Sequence, residues 1–477
     1  MPDPTKSLRV LVSEGSSTSA REAITILGLS GHHIEVCDPS PWCLARFSRL
    51  VAKFHRCPGL RDDPAGYLAF IEHRLADGRF DILLPTHEQG FLFARAKQRM
   101  ESRTGLALPT FESYRTAHSK AGFSRLLDRL GLPQPPTRIV TSAQQLREAV
   151  RFPAVVKTAV GTASRGIWFI RNADDLESAL HDLGAGDAFA DEILVQELVA
   201  GTTEKAQSVF CRGQMVGFHA YRQIVAGVGG GEAIKQSVRR PVVRAHLEKV
   251  GQALDWHGAL SIDYIMPDDG SAPLLIDCNP RLVEPMNAYR AGVDLVGLLL
   301  LISLGERPTA LPESREGVLT HLAMQALLGC AARGGARRDI AREFLRLFAS
   351  SGPYAGSTEE LTPVEADWIS AVPLAVTAAL LLASPKSAVK LARGGFGAHL
   401  LDVRSIRMIE SEGLVRKRAT TVHSHYPCGR ALAWRCRRPR NHRPRPECVQ
   451  ASLVCRPPVS EARSSCQFRP CDAFFAG

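Results

Sequence analysis

The sequence predicts an α/β protein. A doubly wound parallel-sheet domain opens the chain, α+β units occupy the middle, and a helical carboxyl-terminal region follows. Three observations carry this. Leu8–Val12 (L-R-V-L-V) is a short buried-type strand that runs through S-E-G-S-S-T-S into the helical pattern A-R-E-A-I-T-I-L, the order in which doubly wound domains begin. Gly258–Arg281 reads as two apolar β-type runs around P-D-D-G-S-A-P, the pattern of an antiparallel hairpin with a loop longer than two residues. Residues 309–414 carry helical periods such as Leu319–Leu328 and Ile340–Phe348.

Each element can be justified in order. A second strand is expected at His33–Cys37 and a third at Phe80–Leu84, which ends at P-T-H-E-Q. His87 and Glu88 then sit at the carboxyl end of a parallel strand, where open sheets bind ligands; a plain polar loop accounts for them as well. No G-x-G-x-x-G occurs here, so a dinucleotide site has little support. From Ala117 a helix with an apolar 3.6 period is closed by Gly131 and Pro133, with Lys120 in its first turn. Phe152–Ile170 is a strand ending on Lys157, a loop holding Gly161, Thr162, Ser164 and Gly166, and a second strand. Backbone N–H groups of such a loop approach phosphate oxygens closely, and a strand-end lysine neutralises them. It is not a Walker A loop, and an ordinary hairpin turn is the competing reading.

Ile193–Leu198 is a strand that turns polar at Gln196 and Glu197, with Glu204 seven residues beyond Glu197. Main-chain groups of Glu197, Leu198 and Val199 can meet an adenine edge, and a nearby carboxylate can accept from ribose hydroxyls. Val209–Tyr221 reads as a hairpin turning at Cys211-Arg212-Gly213, Gly227–Gly231 as a mobile loop, and Arg244–Leu254 as a helix. In the hairpin that follows, Asp277 and Asn279 are two apart and so share a face. With Asp263 on the partner run they make an all-oxygen set suited to Mg²⁺. Arg281 stands two residues further and can reach an anion held there, whereas Cys278 faces the other side. A surface hairpin with ordinary polar residues explains the same stretch.

The charge of the chain is unevenly placed. Residues 415–477 hold 13 Lys and Arg against 3 Asp and Glu, a balance of +10 out of a net +11. The body is near neutral and gives no electrostatic case for nucleic-acid binding. Six of the 12 cysteines also lie in that stretch; the other six are scattered without a C-x-x-C pair and read as reduced thiols of a cytoplasmic protein. The start M-P-D-P-T-K-S lacks the apolar run of a signal peptide. Residues 415–477, basic and Pro-rich with no apolar period, are expected to be disordered or an out-of-frame extension. Trp368–Ala383 is apolar but 16 residues long, short of the roughly 20 needed to span a bilayer. It is expected to be a buried or surface-docking helix.

In this order, Lys120, Lys157 with its Gly/Ser loop, Q-E-L-V, Glu204, Asp263 and D-C-N-P-R resemble the ATP-grasp superfamily of ligases. The resemblance covers about 117–308, and N-P-R-L-V followed by A-G-V-D-L and a long apolar helix ending L-G-E adds to it. It implies an ATP-grasp fold of two α+β subdomains at 117–308, after an α/β domain at 1–116 and before the helical region 309–414. It implies that Lys120 and Lys157 hold nucleotide phosphates and that the loop with Gly161, Ser164 and Gly166 closes over them. Gln196, Glu197, Leu198 and Val199 would form the adenine hinge, with Glu204 on ribose. Asp263, Asp277 and Asn279 would hold Mg²⁺ or Mn²⁺, and Arg281 would face the transferred phosphate. The family commonly has Glu where this chain has Asp277, one methylene shorter.

The implied activity is ATP-dependent joining of a small-molecule carboxylate to an amine through an acyl phosphate. A carboxylase or carbamoyl-phosphate-type enzyme and a non-catalytic ATP-binding module are the alternatives, and a homodimer is compatible with each. Candidates for facing the acceptor are His87, Glu88, Arg222, the Gly227–Lys235 loop and Glu284.

Overall fold

Strands β1 (Arg9–Val12), β2 (His33–Asp38), β3 (Val51–Arg56) and β4 (Ile82–Leu84) form one parallel sheet in the order β3-β2-β1-β4. Alternate residues of β1 face opposite sides, and both sides are covered. Val10 and Val12 pack with Ile24 and Leu27 of the Thr18–Leu29 helix, whereas Leu11 packs with Tyr67 and Ile71 of the Pro64–Gly78 helix. Strand β3 (V-A-K-F-H-R) was not foreseen. It is one of the two edge strands, with Lys53 and Arg56 exposed, and charges on an edge discourage pairing with other chains while hiding the apolar pattern. The computed structural model describes residues 7–161, 166–185, 188–361, 363–394 and 397–411. The disorder expected for 415–477 therefore concerns residues outside those described.

The order of this sheet reverses between β1 and β4, which opens a crevice at their carboxyl ends. The chain itself covers that crevice. His399 Nε2 lies 3.0 Å from Asp38 Oδ2, Gln89 Nε2 donates to His399 Nδ1 at 3.0 Å, and the Leu401 N–H donates to Glu88.

Strands β5 (Thr137–Val140), β6 (Ala154–Thr158), β7 (Ile167–Ile170) and β8 (Ile193–Glu197) form a small antiparallel sheet in the order β5-β8-β6-β7. Leu146 and Ala149 from one helix and Leu176, Ala179, Leu180 and Leu183 from another pack against Val156, Ile170 and Val195.

The large sheet is built from β9 (Gly201–Cys211), β10 (Gln214–Ala226), β11 (Glu232–Ser237), β12 (Gly258–Pro267), β13 (Leu274–Asn279), β14 (Leu319–His321) and β15 (Thr358–Glu359). Its order is β13-β12-β9-β10-β11-β14-β15. The β9–β10 turn places Arg212 at φ 49° and Gly213 at φ 77°, the left-handed pair that a two-residue hairpin requires. The expected helical run Leu319–Leu328 is divided: Leu319–His321 pairs with β11, and the helix begins at Ala323. An open sheet edge supplies backbone hydrogen bonds to those residues, and this tertiary pairing overrides local periodicity. Helices Arg337–Phe348, Ala371–Ala383 and Val403–Glu410 dominate the rest of the carboxyl-terminal region. One buried cluster runs from Leu11 and Tyr67 through Trp256 and Ile262 to Leu275, so the hairpin β12–β13 shares a core with the amino-terminal sheet.

Candidate active site

The site is organised by register. Asp263 on β12 lies directly opposite Asp277 on β13 and directly opposite Lys205 on β9. Directly paired residues of an antiparallel sheet share a face, so Lys205, Asp263 and Asp277 form one row. The next row on that face is Gln207, Ser261 and Asn279. The three oxygen donors expected from the sequence are thus brought together. The Asp263 carboxylate and the Asn279 amide make no hydrogen bond among the described residues, and Asp277 accepts one, from the Cys278 N–H at 3.0 Å. Burial pushes the Asp263 carboxyl up to about 6; Lys205 opposes this, and the charges of Asp277 and Glu232 add to it. Two neighbouring carboxylates beside an amide oxygen are a donor set that fits a hard divalent cation. Cys278 is buried on the opposite face, where burial raises its thiol well above the usual range.

Two lysines converge on this row from the small sheet and its neighbour. Ser119 caps the helix Lys120–Leu130 by accepting from the Gly122 N–H, which sets Lys120 at the first helical position. Its Nζ lies 3.3 Å from Asp277 Oδ1 and donates to Gly161 O at 2.7 Å. Lys157, near the end of β6, donates to Ile276 O at 3.1 Å. Burial lowers the Lys157 ammonium to about 8; Asp277 and Asp263 raise it and Lys120 lowers it. Gly166 adopts φ 73° and its carbonyl accepts from the Thr158 N–H at 2.9 Å. A Cβ at Gly166 would meet Thr158 Oγ1 at 2.2 Å, so this position requires glycine. Ser164 lies outside the described residues.

The hinge segment is more constrained than its sequence suggests. The Gln196 side chain is buried and donates to Thr137 Oγ1 at 2.9 Å. The N–H groups of Glu197 and Leu198 donate to Pro136 O and Pro153 O at 3.1 and 3.2 Å. Val199 is the residue of the three whose N–H has no acceptor among the described residues. Glu204 is not an open acceptor for ribose. Arg240 grips both of its oxygens at 2.7 and 2.6 Å, Tyr264 donates to Oε2 at 2.8 Å, and the residue is 3% exposed. Those partners come from 36 and 60 residues away, and local spacing carries no sign of them.

Arg281 is buried at the far end of the row. Its backbone carbonyl accepts from Ser261 Oγ at 2.7 Å, its Nε has no partner, and no carboxylate pairs with it among the described residues. Burial and the Arg281 charge hold the His87 imidazole well below its ordinary value, so His87 is neutral beside it. Arg281 is therefore a buried cation with no carboxylate partner among the described residues.

The other acceptor-facing candidates are committed to structure. Arg222 donates to Gln236 Oε1 at 3.0 and 2.8 Å. The Gly227–Gly231 loop, read as mobile from its glycines, is closed by Gly227 N–H to Gly231 O at 2.8 Å and clasped by Gln325, which accepts from the Val228 N–H at 2.9 Å. Glu284, at φ 54°, accepts from Thr18 at 2.8 Å and from Lys235, which also donates to Glu360 at 2.9 Å. Lys205, which the sequence reading passed over, donates to Glu232 at 2.5 Å. Its place in the row with Asp263 is set by strand pairing, for which local spacing carries no sign.

Comparison with known proteins adds a domain match. Residues 117–285 match the family model of an ATP-grasp domain. That stretch, about a third of the chain, is similar to an ATP-grasp domain. The chain is similar to the large chain of carbamoyl phosphate synthase from Thermus thermophilus, 25% identical over 227 residues, which are 44% of this chain and 22% of that one. This chain thus matches only about a fifth of the length of that relative. Among solved structures, the ADP complex of N5-carboxyaminoimidazole ribonucleotide synthetase superposes with TM-score 0.53 at 15% identity, over 72% of this chain and 86% of that one. The biotin carboxylase domain of Hydrogenobacter thermophilus 2-oxoglutarate carboxylase, solved with MgADP, ADP and bicarbonate, gives TM-score 0.53 at 16% identity, over 65% and 73%. At these identities the ATP-grasp likeness to solved structures is one of fold.

Proposed function

We propose that the chain is an ATP- and Mg²⁺-dependent ligase that activates a carboxylate as an acyl phosphate and joins it to an amine. The observation that carries this reading is the meeting of Lys120, Lys157, Asp263, Asp277 and Asn279 around one face of β12–β13, with Arg281 unpaired beside them. Val199 would meet the adenine edge, and Lys120 and Lys157 would hold the phosphates under the Gly161–Gly166 loop. A bound divalent ion would neutralise phosphate charge and orient the γ-phosphoryl group. Arg281 would hold the acceptor carboxylate against that group. An oxygen of the carboxylate forms the new bond to phosphorus as the bond to the ADP oxygen breaks. The amine nitrogen then displaces phosphate at the carbonyl carbon and loses a proton. Positioning and charge neutralisation suffice for the first step, so no covalent nucleophile is required of the protein.

A second reading takes bicarbonate as the carboxylate; it is favoured by the names of the relatives, carbamoyl phosphate synthase and a carboxylase. One assay separates the two. ADP release is measured with ATP and Mg²⁺ and either pooled amino acids or bicarbonate. Release that requires an amino acid supports the ligase, release with bicarbonate alone supports the second reading, and nucleotide binding without turnover would leave a binding module.

Lys157 makes this reading pH-dependent. Bound phosphate favours the charged ammonium, which is present below about pH 8 and lost above it. Nucleotide affinity is therefore expected to be flat only between about pH 6, below which Asp263 protonates, and pH 8, and to fall by up to about tenfold per pH unit above pH 8, with proton uptake on binding. Calorimetry in buffers of different ionisation heat checks this, and Lys157→Arg is expected to flatten the profile.

A further inference from the structure

The helix Ala371–Ala383 packs one side and leaves the other bare. Leu374, Ala378 and Leu381 face the cluster of Leu327, Leu328, Ile340 and Ala388. Val372, Ala375, Val376, Ala379, Leu380 and Ala383 form an exposed stripe with no polar side-chain atom, although the solvent-facing side of a helix is normally polar. Trp368, 59% exposed, stands just before this helix. The adjoining helix Arg337–Phe348 adds Leu345 at 64% and Phe348 at 85%.

Charge surrounds this apolar surface. Arg338, Arg342 and Arg346 are exposed on the second helix, and Lys386 and Lys390 are exposed beyond the end of the first. Of the acidic residues between Arg337 and Lys390, Glu365 alone is exposed, and the half-buried Asp339 is paired with Arg338 and Arg342.

We propose that this face docks the protein on an anionic lipid surface. An apolar stripe with exposed aromatic residues and a basic rim matches an interfacial helix, whose side chains enter the headgroup boundary while Lys and Arg meet anionic headgroups. The helix does not cross: 13 residues rise only about 20 Å, against a hydrocarbon core of about 30 Å. No helix among the described residues is long and apolar enough to span a membrane. A second copy fits less well, because a two-fold contact would set the basic rims of both copies against each other.

The test is flotation of the full chain with phosphatidylcholine vesicles and with vesicles containing one-third phosphatidylglycerol. The expected result is binding to the anionic vesicles alone, abolished in V376E/L380E and weakened about thirtyfold in R338Q/R342Q, at about fivefold per basic residue. Both apolar positions are already exposed, so V376E/L380E keeps its melting temperature. The basic stretch 415–477 is present in every variant; vesicle binding that survives V376E/L380E would arise elsewhere and overturn the proposal. No binding to anionic vesicles, or a wild-type dimer that V376E/L380E splits, would also overturn it.

Discussion

Asp277→Ala is expected to lower Mg²⁺-dependent ATP turnover by about a hundredfold or more, the loss typical of removing one group that stabilises developing charge. Asp277 is the junction of the site. It faces Asp263 across the β12–β13 ladder, lies 3.3 Å from the Lys120 ammonium and is 22% exposed at its side chain. Truncation removes one of the oxygen donors proposed for Mg²⁺ and the charge that helps hold both lysines. Lys120 still has Gly161 O and Lys157 still has Ile276 O, so the fold keeps its contacts. ADP release with parallel thermal unfolding checks both halves: turnover collapses and the melting temperature barely moves. Asp277→Glu keeps the charge and is expected to retain most of the activity.

Lys235→Met should have the largest effect on stability. Lys235 is 1% exposed and joins Glu284 and Glu360, with Glu22 close by and one Glu22 oxygen unpartnered. Burial pushes Glu22 and Glu360 above the usual carboxylate range, while Lys235 and Lys205 outweigh burial at Glu284 and hold it below. Removing the cation leaves buried like charges, for which about 3–5 kcal/mol is the usual cost. The pH dependence has a definite sign. In the variant all three carboxyls bind protons more tightly folded than unfolded. Its stability deficit therefore shrinks toward acid pH and grows as pH rises above the unfolded carboxyl value of about 4.3. Chemical denaturation of Lys235→Met between acid and neutral pH measures this, and adding Glu360→Gln is expected to restore part of the loss.

The residues that were legible in the sequence are those whose role depends on local spacing. Asp277 and Asn279 lie two apart on a strand, Lys120 sits just after a capping serine, and β1 passes through small residues into a helix. Each is decided within a few positions, so periodicity finds it. What escaped was decided by distant partners. Glu204 looks like a free carboxylate until Arg240 and Tyr264 are folded onto it. The glycines of 227–231 read as freedom until Gln325, nearly a hundred residues on, clasps them. Leu319–His321 carries a helical period and becomes a strand because β11 offers an edge. The crevice of the first sheet, an obvious ligand position by topology, is filled by His399 and Leu401 from the far end of the described chain.

The central claim is that Lys120, Lys157 and the β12–β13 carboxylates form a Mg-nucleotide site. Equilibrium dialysis with MgADP tests it most directly, because it needs no knowledge of the acceptor. The account predicts one nucleotide bound per wild-type chain, binding that is lost in Lys157→Met at unchanged melting temperature, and weaker binding when Mg²⁺ is withheld. Wild-type protein that binds no nucleotide, or a folded Lys157→Met that binds as tightly as wild type, would contradict it.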